Sequence, residues 1–168
     1  MELRKTITLA MLLALGVVLN IMESMIPIMG NIIPGSKLGL ANIVVIFVIY
    51  FYGLRDGLLF SFTRVFIVGL LRTGLFNIVF LFSLSGGLLS VVCMFIAHKF
   101  TKLSIVGVSI IGAITHSIGQ IIAAVFLFQT INIIYYLPYL LLLSLPTGFI
   151  IGVISEQVIN QYQKIKIN

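Results

Sequence analysis

The sequence predicts an all-α integral membrane protein, a bundle of six transmembrane helices with both termini on the cytoplasmic side. Three observations carry this expectation. Hydrophobic residues make up 61% of the chain and charged residues 8%, with a mean hydropathy of +1.26. A soluble domain carries about 25% charged residues. The apolar residues also fall into six runs near the ~17–25 residues needed to cross a bilayer, and Lys and Arg gather on one side of those runs.

The elements follow in order. Thr6 to Met22 is the first run, behind Arg4-Lys5. A charged start before an apolar run also suits a signal peptide, but no small-x-small cleavage pattern interrupts it, so it reads as an uncleaved helix. Residues 38–52 and 58–71 form the second and third runs. Both are short, which bilayer thinning or packing inside a bundle accommodates. Residues 77–97, 104–128 and 134–154 complete the set, with Pro146 expected to kink the last. There is no repeat, low-complexity tract or linker, so residues 1–168 read as a single six-helix domain with an outer loop over 23–37.

Orientation follows from the basic residues. With the N-terminus inside, Arg4, Lys5, Arg55, Lys99, Lys102, Lys164 and Lys166 fall on the cytoplasmic side, and Lys37 and Arg72 outside. The formal charge of +6 thus reflects topology and does not require nucleic acid. With one Cys, the chain holds no internal disulfide framework or cysteine metal site. No cofactor or metal is called for.

Against this background a few polar residues stand out as substrate-binding candidates: Glu23, Lys37, Asn42, Arg64, Arg72, Ser85, His116 and Gln120. Arg64 is the most telling, because it interrupts an apolar helix near its middle. A guanidinium keeps its proton, and placing one there costs at least ~2.5–3.5 kcal/mol on insertion scales. Most of the set lies in the outer half of the predicted bundle, as an externally open pocket needs. The fifth run adds Ser109, Gly112, His116, Gly119 and Gln120 on one helical face. The fourth has Ser83, Gly86, Gly87 and Ser90, and the sixth Ser144, Gly148 and Gly152. Such stripes serve helix packing as well as ligand contact. Arg72 also has a snorkelling reading, Lys37 an interfacial one, and Glu23 with Lys37 a structural ion pair.

The 23–37 loop is itself apolar. Pro27 and Pro34 restrict it, and Pro34-Gly35 marks a turn before the second helix. An apolar, proline-restricted loop suits a lid folded back over the bundle.

The run Pro34-Gly35-Ser36-Lys37-Leu38-Gly39-Leu40-Ala41-Asn42, after Glu23 and Pro27, resembles a family of small bacterial membrane proteins. These are described as Gx transporter or heptaprenyl diphosphate synthase component I. Arg64, Ser83-Leu84-Ser85-Gly86-Gly87 and Gly112-Ala113-Ile114-Thr115-His116-Ser117-Ile118-Gly119-Gln120 are similar too, although the family often has Asn where Ser117 stands. That family in turn is similar to the substrate-binding S-components of energy-coupling-factor transporters. The resemblance implies a multi-pass protein of the bacterial plasma membrane that binds a small solute beneath its first outer loop. It also implies a transmembrane coupling protein with ATPase subunits as partner, docked through Ala10 and Ala14 on the first helix.

The residues constrain the chemistry. An excess of cations over Glu23 favours an anionic or amphipathic solute. No Gly-rich loop with Gly-Lys-Ser/Thr is present, so an ATPase would be a separate protein. Prenyl diphosphate synthesis needs clustered aspartates around magnesium. The four acidic residues, Glu2, Glu23, Asp56 and Glu156, are scattered, so the chain is not expected to be an enzyme. The alternative expectation is a non-catalytic subunit or scaffold associated with prenyl diphosphate or quinone synthesis, or with a membrane redox complex.

Overall fold

The computed structural model describes residues 2–25 and 39–167. From residue 26 onward the predicted 23–37 loop, with Lys37, lies outside the described residues.

All the regular structure described is helical: α1 (Glu2–Met25), α2 (Leu40–Val68), a π-helical turn (Gly69–Thr73), α3 (Ile78–Phe100), α4 (Ile105–Phe128), a 3-10 turn (Ile131–Tyr136) and α5 (Leu137–Ile167). Five helical segments are long and apolar enough to cross a membrane: Leu3–Met25, Leu40–Arg72, Ile78–Phe100, Ile105–Phe128 and Ile131–Ile165. The chain is a multi-pass membrane protein. Helix starts are fixed locally by side chains that satisfy first-turn amides. Asn77 accepts from the Val79 amide, and Ser104 from the Gly107 amide, each at 3.2 Å.

Most of the second and third apolar runs falls within α2, which breaks at Gly53 (φ 84°, ψ −170°). This is left-handed φ space, where glycine carries no Cβ penalty. In a straight helix, residues eight apart are separated by about 12 Å. A Cβ on Gly57 would nonetheless meet the Ile49 side chain at 3.1 Å, so the 54–68 half folds back beside the 40–52 half. Three contacts along α1 agree. The Gly39 amide bonds to Glu23, the Lys5 Nζ pairs with Asp56 at 2.7 Å, and Arg72 bonds to the Ser24 carbonyl. Residues 39 and 72 thus lie at one end of α1 and residue 56 at the other.

Several helix boundaries differ from expectation, α1 among them, which runs from Glu2 to Met25. The 54–68 half starts before the predicted residue 58, because Arg55, Asp56 and Gly57 are helical without being apolar. The last helix continues past Ile154 to Ile167, with Pro146 inside it. Its polar tail escapes a hydropathy reading, yet it is anchored: Ile159 is buried, and the Tyr162 ring meets those of Phe47 and Phe51 at 5.0 and 4.9 Å.

The small-residue stripes form the helix interfaces. A Cβ on Gly119 would lie 2.8 Å from the Gly86 Cα, so α3 and α4 cross backbone to backbone. Ser90 donates to the Gly112 carbonyl across that contact, and Ser109 donates to the Gly148 carbonyl between α4 and α5. Towards the Lys5–Asp56 end the interior is apolar, built on Val44 to Ile49, Val91, Met94, Val108 and Ile159. Towards the Glu23 end it opens.

Candidate functional site

That opening is a cavity of about 850 Å³ of empty space, including the part continuous with its mouth. Every long helix contributes. Asn20 and Glu23 come from α1, Asn42 and Arg64 from the two halves of α2, and Ser83 from α3. His116 and Gln120 come from α4, and Ser144 and Thr147 from α5. The Gly53 reversal is what puts Asn42 and Arg64, 22 positions apart in the chain, on the same cavity.

Arg64 is 4% exposed. Its stem is held where α1 is thinnest, since a Cβ on Gly16 would come within 3.5 Å of the Arg64 Cδ. Its Nε and Nη1 are buried without a hydrogen-bond partner among the described residues. A buried charge with donors left unpaired is costly.

The Glu23 carboxylate acts on the Arg64 charge but supplies none of the hydrogen bonds that Nε and Nη1 lack. It accepts from the Gly39 amide at 2.6 Å and from the Leu40 amide at 3.2 Å, so both oxygens secure the start of α2. Those amides are first-turn donors that an anion satisfies well. Among the described residues the salt bridge is Lys5–Asp56, at the opposite end of α1. Glu23 thus borders the cavity while acting as a clamp.

The remaining candidates divide. Asn42, His116 and Gln120 line the cavity. Arg72 does not; it lines a smaller side cavity of about 310 Å³ that shares Asn20, Val65 and Ser83 with the main one. Its Nη2 donates to the Ser24 carbonyl at 3.2 Å, where α1 has carbonyls without helical partners. Ser85 lines neither cavity, and its hydroxyl donates to the Phe82 carbonyl in its own helix. Ser83, two positions earlier, is on the cavity instead. Lys37 lies outside the described residues. Ala10 and Ala14 are exposed on α1, beside Ile7, Met11, Leu15 and Val18, which form an uncovered apolar face.

Sequence reasoning missed Asn20, Ser117 and Thr147 as cavity residues, and placed Ser144 and Gly148 in a stripe that suits packing as well as ligand contact. The available signal was the recurrence of Ser144, Thr147 and Gly148 at positions i, i+3 and i+4. His98, remote from the cavity, stacks on Tyr50 with ring centroids 3.8 Å apart, as a packing residue would.

The family model described as heptaprenyl diphosphate synthase component I matches residues 12–158. No curated protein and no solved structure matches the chain. The chain belongs to the heptaprenyl diphosphate synthase component I family.

Proposed function

We propose that this family member is a substrate-binding membrane subunit for uptake of a small anionic or amphipathic solute, driven by a separate coupling module with ATPase subunits. The observation that carries the reading is Arg64, a buried guanidinium with two donors unfilled on the wall of a cavity. A bound anion completes its hydrogen bonds and neutralises its charge, which gives a costly residue a reason to be there. Asn42, His116 and Gln120 supply further polar contacts, with Glu23 holding the rim. In this reading the two halves of α2 are separate crossings. The bundle then has six crossings, both termini face the cytoplasm of a bacterial cell, and the cavity opens outward. The exposed Ala10 and Ala14 face of α1 is the docking surface for the coupling protein.

A second reading rests on the family's description: a non-catalytic membrane subunit that assists a soluble prenyl diphosphate synthase. The two differ in what the chain retains. Native mass spectrometry of the full chain, purified in mild detergent, is expected to show a low-mass adduct that is absent from Arg64→Ala. The same preparation should copurify a transmembrane coupling protein, and Ala10→Phe with Ala14→Phe should abolish that association. An Arg64→Ala protein that folds and keeps the same adduct would overturn the site.

A further inference from the structure

The proposed solute has a chemistry that the cavity's hydrogen-bond directions restrict further. Four hydroxyls line the wall formed by α4 and α5: Ser109, Ser117, Ser144 and Thr147. Each is already bonded to a backbone carbonyl. Ser109 bonds to Gly148 at 2.8 Å, Ser117 to Ala113 at 3.3 Å, and Ser144 to Leu141 at 2.9 Å. Thr147 bonds to Leu143 at 3.0 Å and to Ser144 at 3.2 Å. A carbonyl can only accept, so in each of these bonds the hydroxyl is the donor. What a hydroxyl has left is its oxygen lone pairs. This wall therefore offers acceptors.

Arg64 offers the reverse. It has only donors, two of them unfilled, and it is the one Lys or Arg among the described residues lining the cavity. Among the described lining residues this one guanidinium balances one negative charge. A diphosphate carries more than that, and Glu23 on the same lining adds a further negative charge.

We propose that the cavity takes a compact monoanionic acid that also carries N–H or O–H donors. The acid group sits on Arg64, and the donors face the lone pairs of Ser117, Ser144 and Thr147. This rests on the solute-binding reading and narrows it to a class that excludes prenyl diphosphates.

The test is equilibrium dialysis of the purified full chain against three defined mixtures, read by mass spectrometry. The first holds amino acids, hydroxy acids and N–H heterocyclic carboxylic acids. The second holds the same acids with their N–H and O–H donors methylated, and the third holds prenyl diphosphates of ten to twenty carbons. The expected result is enrichment of at least one member of the first mixture, at least about tenfold over its methylated counterpart, and its loss in Arg64→Gln. One lost donor that leaves a buried acceptor unpaired is worth about 1–3 kcal/mol, which is the origin of that factor. Equal enrichment of the methylated acid, or preference for a prenyl diphosphate, overturns the class and leaves the solute-binding reading standing. No enrichment from any mixture also overturns the class. The native adduct measured independently then decides whether the solute-binding reading falls with it.

Discussion

At the Lys5–Asp56 end of the bundle, Val45, Ile46, Val48, Met94 and Ile159 are closed against one another at 2% exposure or less. At the Glu23 end, the same helices surround a hollow lined by Arg64, Asn42, His116 and Gln120. Only the side chains that the helices present inward have changed. The packed end gains dispersion contacts with every methyl group and sets the spacing of the helices. The hollow end gives up those contacts and holds a charge that packing alone does not justify. One end is therefore expected to carry stability, and the other function at the expense of stability.

The largest effect should come from the packed end. Met94 is 1% exposed and its thioether lies against Gly112. Met94→Ala is expected to lower stability by about 2–5 kcal/mol, as truncation of a fully packed side chain does. Denaturant unfolding in detergent micelles measures it, while the native adduct should persist, since Met94 itself does not line the cavity. Loss of the adduct without loss of stability would erase the distinction between the ends.

Arg64→Met tests the hollow end with the opposite sign. The side chains are similar in volume, and replacing a buried charge whose donors are incompletely paired by an apolar group is expected to be neutral or to stabilise by about 1–4 kcal/mol. The ligand-free variant should unfold at the same denaturant concentration or higher, while retaining no adduct. A strongly destabilised variant would make Arg64 part of a structural network.

Glu23→Gln should have the smallest effect. The amide still has an oxygen to accept one bond, but it loses the charge and the second acceptor that hold Gly39 and Leu40. The expected loss is about 0.5–2 kcal/mol, in the range for weakened helix caps. Hydrogen exchange should quicken at the Gly39 and Leu40 amides before it changes at Ile46 or Met94.

Much of this contrast was legible in the sequence, and what was not has identifiable causes. Arg64, His116 and Gln120 stand out because polar atoms are conspicuous within apolar runs, and their shared cavity follows from helix faces. Ser83 and Ser85 show the limit of that argument. Two positions apart, they point about 200° apart around a helix, and only neighbouring helices decide which one meets the hollow. Ser144 and Thr147 were hidden for another reason. Hydroxyls bonded to their own helix are common inside membranes, so only tertiary placement separates a cavity wall from a lipid-facing or packed one. The tail of α5 escaped because residues 155–167 lie beyond the apolar run, although Ile159 and Tyr162 keep one face packed.

The reversal at Gly53 also bears on how Arg64 enters a bilayer during biosynthesis. Presented alone, the 54–68 half is short and carries Arg55, Asp56 and Arg64, a poor candidate for leaving the translocon. The 40–52 half ahead of it has no charged residue. Each Leu, Ile, Val or Phe near its centre favours insertion by about 0.3–0.6 kcal/mol, so several of them offset the ~2.5–3.5 kcal/mol of a central arginine. Joined at Gly53, the halves can partition together as a hairpin. A residue that lengthens or straightens this joint should then show its defect in nascent-chain integration, before any solute is encountered.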